Sequence, residues 1–211
     1  MCYRVCWWIA ILLTRVFFRL RAVGAERIPA SGGVLLAGNH CCYADPVFIG
    51  ASTRRVLHFL AKREAFGWFL IGPLIRRLNA LPVTRGGVDL RALSAVEEAL
   101  RGGGAVLMFP EGTRNKDGRF GQARPGVGFV AARMNVPIIP VYISGTAHVF
   151  RSLLGLERVV VRFGTPVRSE AFIVPDSHKE TYRRITDEVM RRIAEIKEGE
   201  AAGRNDPADR W

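Results

Sequence analysis

Asn39-His40-Cys41-Cys42-Tyr43-Ala44-Asp45 sets an imidazole five positions before a carboxylate, just after an apolar run, and Phe109-Pro110-Glu111-Gly112-Thr113-Arg114 follows much later in the chain. Histidine is the side chain whose ordinary pKa lies near neutrality, and a carboxylate that fixes its tautomer makes it a proton acceptor. His40 with Asp45 therefore reads as a base, and the second cluster as a place to hold an anionic substrate beside it. Asp45-Pro46 also reads as a helix start, with Asp45 as N-cap and Pro46 at the first helical position. Capping and orienting His40 are compatible, and capping is the reading favoured on this segment alone.

Cys2, Cys6, Cys41 and Cys42 fit neither a secreted disulfide framework nor a paired Cys-x-x-Cys zinc site, which points to a reducing compartment. Vicinal cysteines rarely turn both sulfurs to one ion, and no second His or Cys pair follows His40 closely, so no metal is expected. His58, His148 and His178 have no comparable partner nearby and read as ordinary polar or packing residues.

The elements that must carry these residues are short apolar runs bounded by turn residues: strands at 34–37, 56–60, 80–83, 105–109, 138–143 and 159–163. Helices are expected over 47–52, led in by Asp45-Pro46, and, from helical spacing, over 88–101, 126–134 and 177–198. The second of these stops at Gly102-Gly103-Gly104, and the last puts Tyr182, Ile185, Val189, Ile193 and Ile196 on one face. Strands alternating with helices imply an α/β fold, a single domain with a mixed, mostly parallel sheet flanked by helices. At 211 residues the chain has room for one sizeable core, and no linker or repeat divides it. The domain is read as 24–200, followed by a polar, flexible tail at 201–211.

Residues 3–23 read as a leading helix, apolar from Val5 to Leu13 and then studded with Arg15, Arg19 and Arg21. The apolar stretch is about half of the ~20 residues needed to span a bilayer. The arginines follow it rather than precede it, unlike a signal peptide. An N-terminal membrane-interfacial helix is expected, with Trp7, Trp8, Phe17 and Phe18 at the headgroup boundary and the arginines on anionic lipid. The bland alternative is a helix packed on the domain. The whole chain carries 31 Lys+Arg against 19 Asp+Glu, a net charge of +12, which suits an anionic membrane surface or phosphate-bearing substrates. Nucleic acid is not expected, for lack of a recognisable module or of aromatics interleaved with basic residues.

Four blocks in order carry a family resemblance: Asn39-His40 with Asp45; the segment from Lys62 to Arg85, with Gly72 and Pro73 inside it; Phe109 to Arg114; and Val136-Pro137-Ile138-Ile139-Pro140-Val141. From about Gly24 to Phe163 the chain resembles the lysophosphatidic acid acyltransferases of the wider glycerolipid acyltransferase superfamily. The resemblance implies transfer of a fatty acyl group from acyl-CoA or acyl carrier protein to the free hydroxyl of 1-acylglycerol 3-phosphate, giving phosphatidic acid at the cytoplasmic face of the cell membrane. It implies no resident cofactor. It makes His40 the base and Asp45 its partner, and assigns phosphate binding to Arg85 and Arg114. Lys62 is likewise expected at the substrate; Glu111 is expected to orient an arginine or the glycerol part rather than meet phosphate, since two anions repel, and Gly112 and Thr113 to let a backbone N–H face the thioester oxygen. Cys42 stands where the family commonly has Ser, and Ala123 where it has an aromatic residue, which leaves acyl-chain preference and acceptor choice open.

The chemistry is consistent with so small a set. A hydroxyl needs a base as it attacks, whereas a thiolate, whose parent thiol has a pKa of about 8.5, leaves without strong acid help. A covalent acyl-enzyme is not required, and adjacency of Cys41 and Cys42 to His40 is not the geometry that activates a nucleophile. Another lysophospholipid, glycerol 3-phosphate or an amino-acid lipid as acceptor, a thioesterase using water, and a non-catalytic basic membrane-binding protein remain as alternatives.

Overall fold

Val34–Gly38 (β2) and Ala105–Met108 (β5) contain no charged residue and are buried at every position, as strands of a sheet covered on both faces must be. They pair in parallel, Leu36 opposite Leu107. Around them the computed structural model, which describes residues 2–84, 89–115, 117 and 119–203, forms one seven-stranded sheet of order β1-β7-β6-β2-β5-β3-β4. The other strands are Arg21–Val23 (β1), Leu57–Lys62 (β3), Ala80–Val83 (β4), Ile138–Ser144 (β6) and Val160–Phe163 (β7). Among these strands only β6 and β7 pair antiparallel.

Side chains alternate across the sheet and build a core on each face. Val34 and Leu36 join Phe48 and Ile49 on one side, and Leu35 and Ala37 join Val96, Val130, Val189 and Ile193 on the other. The first face is covered by Cys2–Phe18 (α1), Asp45–Ala51 (α2), Ile71–Arg77 (α3) and Val149–Leu153 (α6), the second by Leu90–Arg101 (α4), Gly126–Met134 (α5) and His178–Ala201 (α7). The expected α/β class and mostly parallel sheet hold, and the six expected strands lie within two residues of their observed bounds. α4 starts later than the expected 88, where Asp89 accepts hydrogen bonds from the Arg91 and Ala92 N–H groups as N-cap.

The amino terminus differs from the expectation. The helix stops at Phe18, Arg19 takes a left-handed φ of 51°, and Arg21–Val23 becomes a strand beside β7. The reason is tertiary: Arg21 N–H donates to Val159 O at 3.0 Å and Val159 N–H to Phe18 O at 3.2 Å, and this ladder outweighs a local helical preference. α1 also lies against the domain. Ile11 and Thr14 are buried, Trp7 donates its indole N–H to Gly50 O and Thr53 O, and Phe18 packs edge-on against Phe48. Trp7 and Phe18 therefore face the protein, whereas Trp8 and Phe17 face out. Among the described residues no helix is long and apolar enough to cross a membrane. α7 ends at Ala201, and residues 204–211 of the expected tail lie outside the described residues.

Candidate active site

The parallel pairing of β2 with β5 and β6 sends three chain segments out at the same edge of the sheet, where ligands of open α/β sheets bind. Asn39 and His40 follow β2, and Phe109 to Arg114 follow β5. Buried Asn39 extends the ladder with its side chain: Nδ2 donates to Ile143 O at 3.0 Å, and Oδ1 accepts from Ile143 N–H at 2.8 Å. The residue before His40 is thus pinned to β6.

His40 Nδ1 lies 2.9 Å from Asp45 Oδ2, and its ring stacks on Phe109 with centroids 3.9 Å apart and planes 12° apart. The ring is thereby fixed in direction and in plane. Asp45 is fully buried as the first residue of α2, and Oδ2 also accepts from the N–H groups of Cys41 at 2.7 Å and Cys42 at 2.8 Å. The expected capping role is corrected here: Ala44 is the N-cap, and the carboxylate turns back to the loop before the helix instead of accepting from its first turn. The loop N–H groups reach Oδ2 first, because the chain curls around it through Cys42 and Tyr43.

Glu111, expected to orient an arginine or the glycerol part, is also buried, and its partners among the described residues are loop N–H groups. Oε1 accepts from His40 N–H at 3.3 Å, and Oε2 from Gly121 N–H at 2.6 Å and from the Asn115 amide. Asn115 N–H in turn donates to His40 O at 2.8 Å. The carboxylate is spent on joining three loop segments around His40. Gly121 packs closely there: a Cβ would lie 2.5 Å from Asn115 Nδ2, so the Asn115 side chain would have to shift.

Gly112 N–H donates to Phe109 O at 3.0 Å and so closes a turn. Thr113 beside it is exposed. Arg114 is half-buried, with its guanidinium carbon 3.4 Å from the centroid of Tyr43, an exposed ring on the His40 loop, and its Nε is buried without a partner among the described residues. This stack brings Arg114 to the segment that carries His40. Lys62 ends β3 at the same edge of the sheet, exposed and paired with Glu64 at 3.3 Å. Arg85 lies outside the described residues. Asn39, Tyr43, Phe109, Asn115 and Gly121 acquire positioning roles that spacing alone did not reveal; only the location of the first three inside the two motifs hinted at them.

Burial, then the Asp45 charge, push the Cys41 thiol up to about 11, so it stays protonated at neutral pH. An apolar groove of about 410 Å³ begins at Ala44 and Pro46, the neighbours of Asp45, and runs between Ile9 and Leu13 of α1 and Leu74 and Leu78 in and just after α3. A second cavity, of about 350 Å³, lies between β7 and α7. There Arg162 pairs with Glu200, and Arg192 with Glu188.

The described site thus brings together an imidazole held by a buried carboxylate, an arginine stacked on the same loop and an apolar groove. A family model described as Acyltransferase matches residues 19–144. The chain is 30% identical over 138 residues to the chloroplastic 1-acyl-sn-glycerol-3-phosphate acyltransferase LPAT1 of Arabidopsis thaliana, covering 63% of this chain and 38% of that protein. It is 24% identical over 178 residues to the 1-acyl-sn-glycerol-3-phosphate acyltransferase of Bacillus subtilis, covering 84% of this chain and 87% of that protein. The crystal structure of the 1-acyl-sn-glycerophosphate (LPA) acyltransferase PlsC from Thermotoga maritima superposes with a TM-score of 0.71 at 25% identity, covering 92% of this chain and 81% of that one. The chain spans less than half the length of its chloroplast relatives, 38% and 39%. With the family match extending over more than half of the chain and the fold shared, the protein belongs to the acyltransferase family.

Proposed function

We propose that this chain is a 1-acylglycerol-3-phosphate O-acyltransferase. In this reading the Asp45 carboxylate accepts the Nδ1–H of His40, which leaves Nε2 as the base. Nε2 takes the proton of the acceptor's free hydroxyl as its oxygen attacks the thioester carbonyl of acyl-CoA or acyl carrier protein. The tetrahedral intermediate collapses, the C–S bond breaks, the thiolate leaves, and the proton held on His40 passes to it. The buried charge of Asp45 stabilises the transient imidazolium. Arg114, held against Tyr43, offers its outer N–H groups to the acceptor phosphate, and Arg85 is assigned the same task. The Thr113 N–H is the amide assigned to the oxyanion. The groove beside Asp45 takes acyl hydrocarbon, for its walls are almost wholly apolar. The reaction so written asks for no resident cofactor, and the enzyme works at the cytoplasmic face of the membrane, resting on the outward face of α1.

The observation that carries this reading is the 2.9 Å contact between His40 and a fully buried Asp45, with the ring stacked on Phe109. The test is incubation of purified protein with lysophosphatidic acid and mixed acyl donors, followed by mass analysis of the products. Phosphatidic acid is expected, and His40→Ala should lower its formation at least about a hundredfold with little change in melting temperature. Equal turnover of a phosphate-free acceptor would contradict the arginine assignments. Release of free fatty acid without acylated product would mark a thioesterase.

A further inference from the structure

Arg124 belongs to none of the four sequence blocks, yet the fold lays it on the third of them. Its N–H donates to Pro110 O at 2.8 Å, and its side chain passes along Gly112, where a Cβ would lie 3.1 Å from Arg124 Cδ and 3.3 Å from Nε. Gly112 also takes a φ of 64°, which side chains disfavour, so one glycine both shapes this turn and leaves room for the arginine. The backbone of Arg124 is held from behind as well: Pro125 is the N-cap of α5, and Phe129 N–H donates to Pro125 O at 2.9 Å. A guanidinium is thereby set against the loop that ends at Arg114.

Charge and exposure say what it can meet. Among the described residues Arg124 has no carboxylate partner, and the acids of these loops are engaged elsewhere: Glu111 by the N–H groups of His40 and Gly121 and by the Asn115 amide, Asp117 by Arg119 at 3.9 Å. Arg124 is exposed, which ill suits it to an oxyanion, whose donors act best where water is excluded, but suits a strongly charged group arriving from solvent. In the acceptor of the proposed reaction the free hydroxyl and the phosphate sit on neighbouring carbons. A hydroxyl at His40 therefore brings the phosphate to the loops joined to His40, and Glu111 and Asn115 make 109–115 one of these. The phosphate of an acyl donor lies at the far end of the pantetheine arm from its thioester, so the acceptor is the nearer source of the anion.

We infer that Arg124 is a further arginine for the acceptor phosphate and sets the preference for a terminal phosphate monoester over a phosphodiester. This rests on the proposed function and adds a selectivity to it. A monoester presents three outer oxygens and a charge of about −1.5 to −2 at pH 7, enough to engage more than one guanidinium fork, whereas a diester has one outer oxygen fewer and a single charge. The test is equilibrium binding to the full chain, by calorimetry, of a short-chain lysophosphatidic acid below its micellar concentration and of the lysophosphatidylglycerol with the same chain. The parent should prefer the monoester. Arg124→Gln should weaken monoester binding on the order of tenfold and diester binding by less than about twofold, with the melting temperature unchanged. Equal losses for both lipids with a lowered melting temperature would make the side chain a support of the loop, and unchanged monoester binding with a raised KM for the acyl donor would assign it to the donor; either overturns the inference. Nor does it survive a parent that binds the two lipids alike. Binding is read without turnover, so a parent that discriminates between them but transfers no acyl group strikes the proposed reaction and leaves Arg124 its role.

Discussion

At the scale of single residues, the site contains two buried carboxylates with different duties. Asp45 meets the ring of His40, and Glu111 meets its backbone. Glu111→Ala should therefore act through structure: it leaves the N–H groups of His40 and Gly121 without their acceptor and lowers stability by about 2–3 kcal/mol, with melting temperature and kcat falling together. An unchanged melting temperature with only KM raised would make Glu111 a substrate ligand after all. Cys41 gives the opposite expectation. With its thiol raised to about 11, the thiolate gains population only as pH climbs toward that value, so iodoacetamide should leave Cys41 unmodified at about pH 7–8 in peptide mass maps, and Cys41→Ser should keep activity within about a fewfold. His40 and Asp45 were legible because their types and spacing alone suggest a base and its partner. The duty of Glu111 was not, because it depends on Asn115 and Gly121 being brought back to it by a loop whose path no local pattern encodes. The stack of Arg114 on Tyr43 escaped for the same reason, as it joins two loops at the sheet edge.

At the scale of elements, periodicity served where burial is uniform. β2 and β5 are continuous apolar runs, β6 is one as far as Ile143, and α5 spans the residues its spacing predicts. It failed for β1, whose three residues carry no strand pattern and owe their conformation to β7. Short α3 and α6 were also not anticipated as helices; each has seven residues or fewer, too few turns for a period to emerge. The contact between α5 and α7 adds a prediction. Gly128 lies so close to α7 that a Cβ would overlap Tyr182 O, and its N–H donates to Thr186 Oγ1 at 3.1 Å. Gly128→Ala must push the helices apart, and should lower stability by about 2 kcal/mol in chemical denaturation. Because the pair lies on the face away from His40, KM for either substrate should stay near its parental value in protein that remains folded.

At the scale of the whole molecule, the net charge of +12 is unevenly spent, with α7 balanced by its own glutamates and the α1, α3 and α6 side left basic. Binding to anionic vesicles should therefore weaken about tenfold or more between low and roughly 0.5 M salt, as screening removes the headgroup attraction, while the apolar share of the binding persists. Salt-independent binding would point to hydrocarbon insertion alone. The pairing of Arg21–Val23 with Val160–Arg162 has a consequence in time. On the ribosome the leading strand waits for its neighbour until residues in the 160s have emerged, on the order of ten seconds at ~5–20 residues per second. Through that interval the far edge of the sheet stays open, and a fragment ending at residue 144, where the family match stops, never closes it.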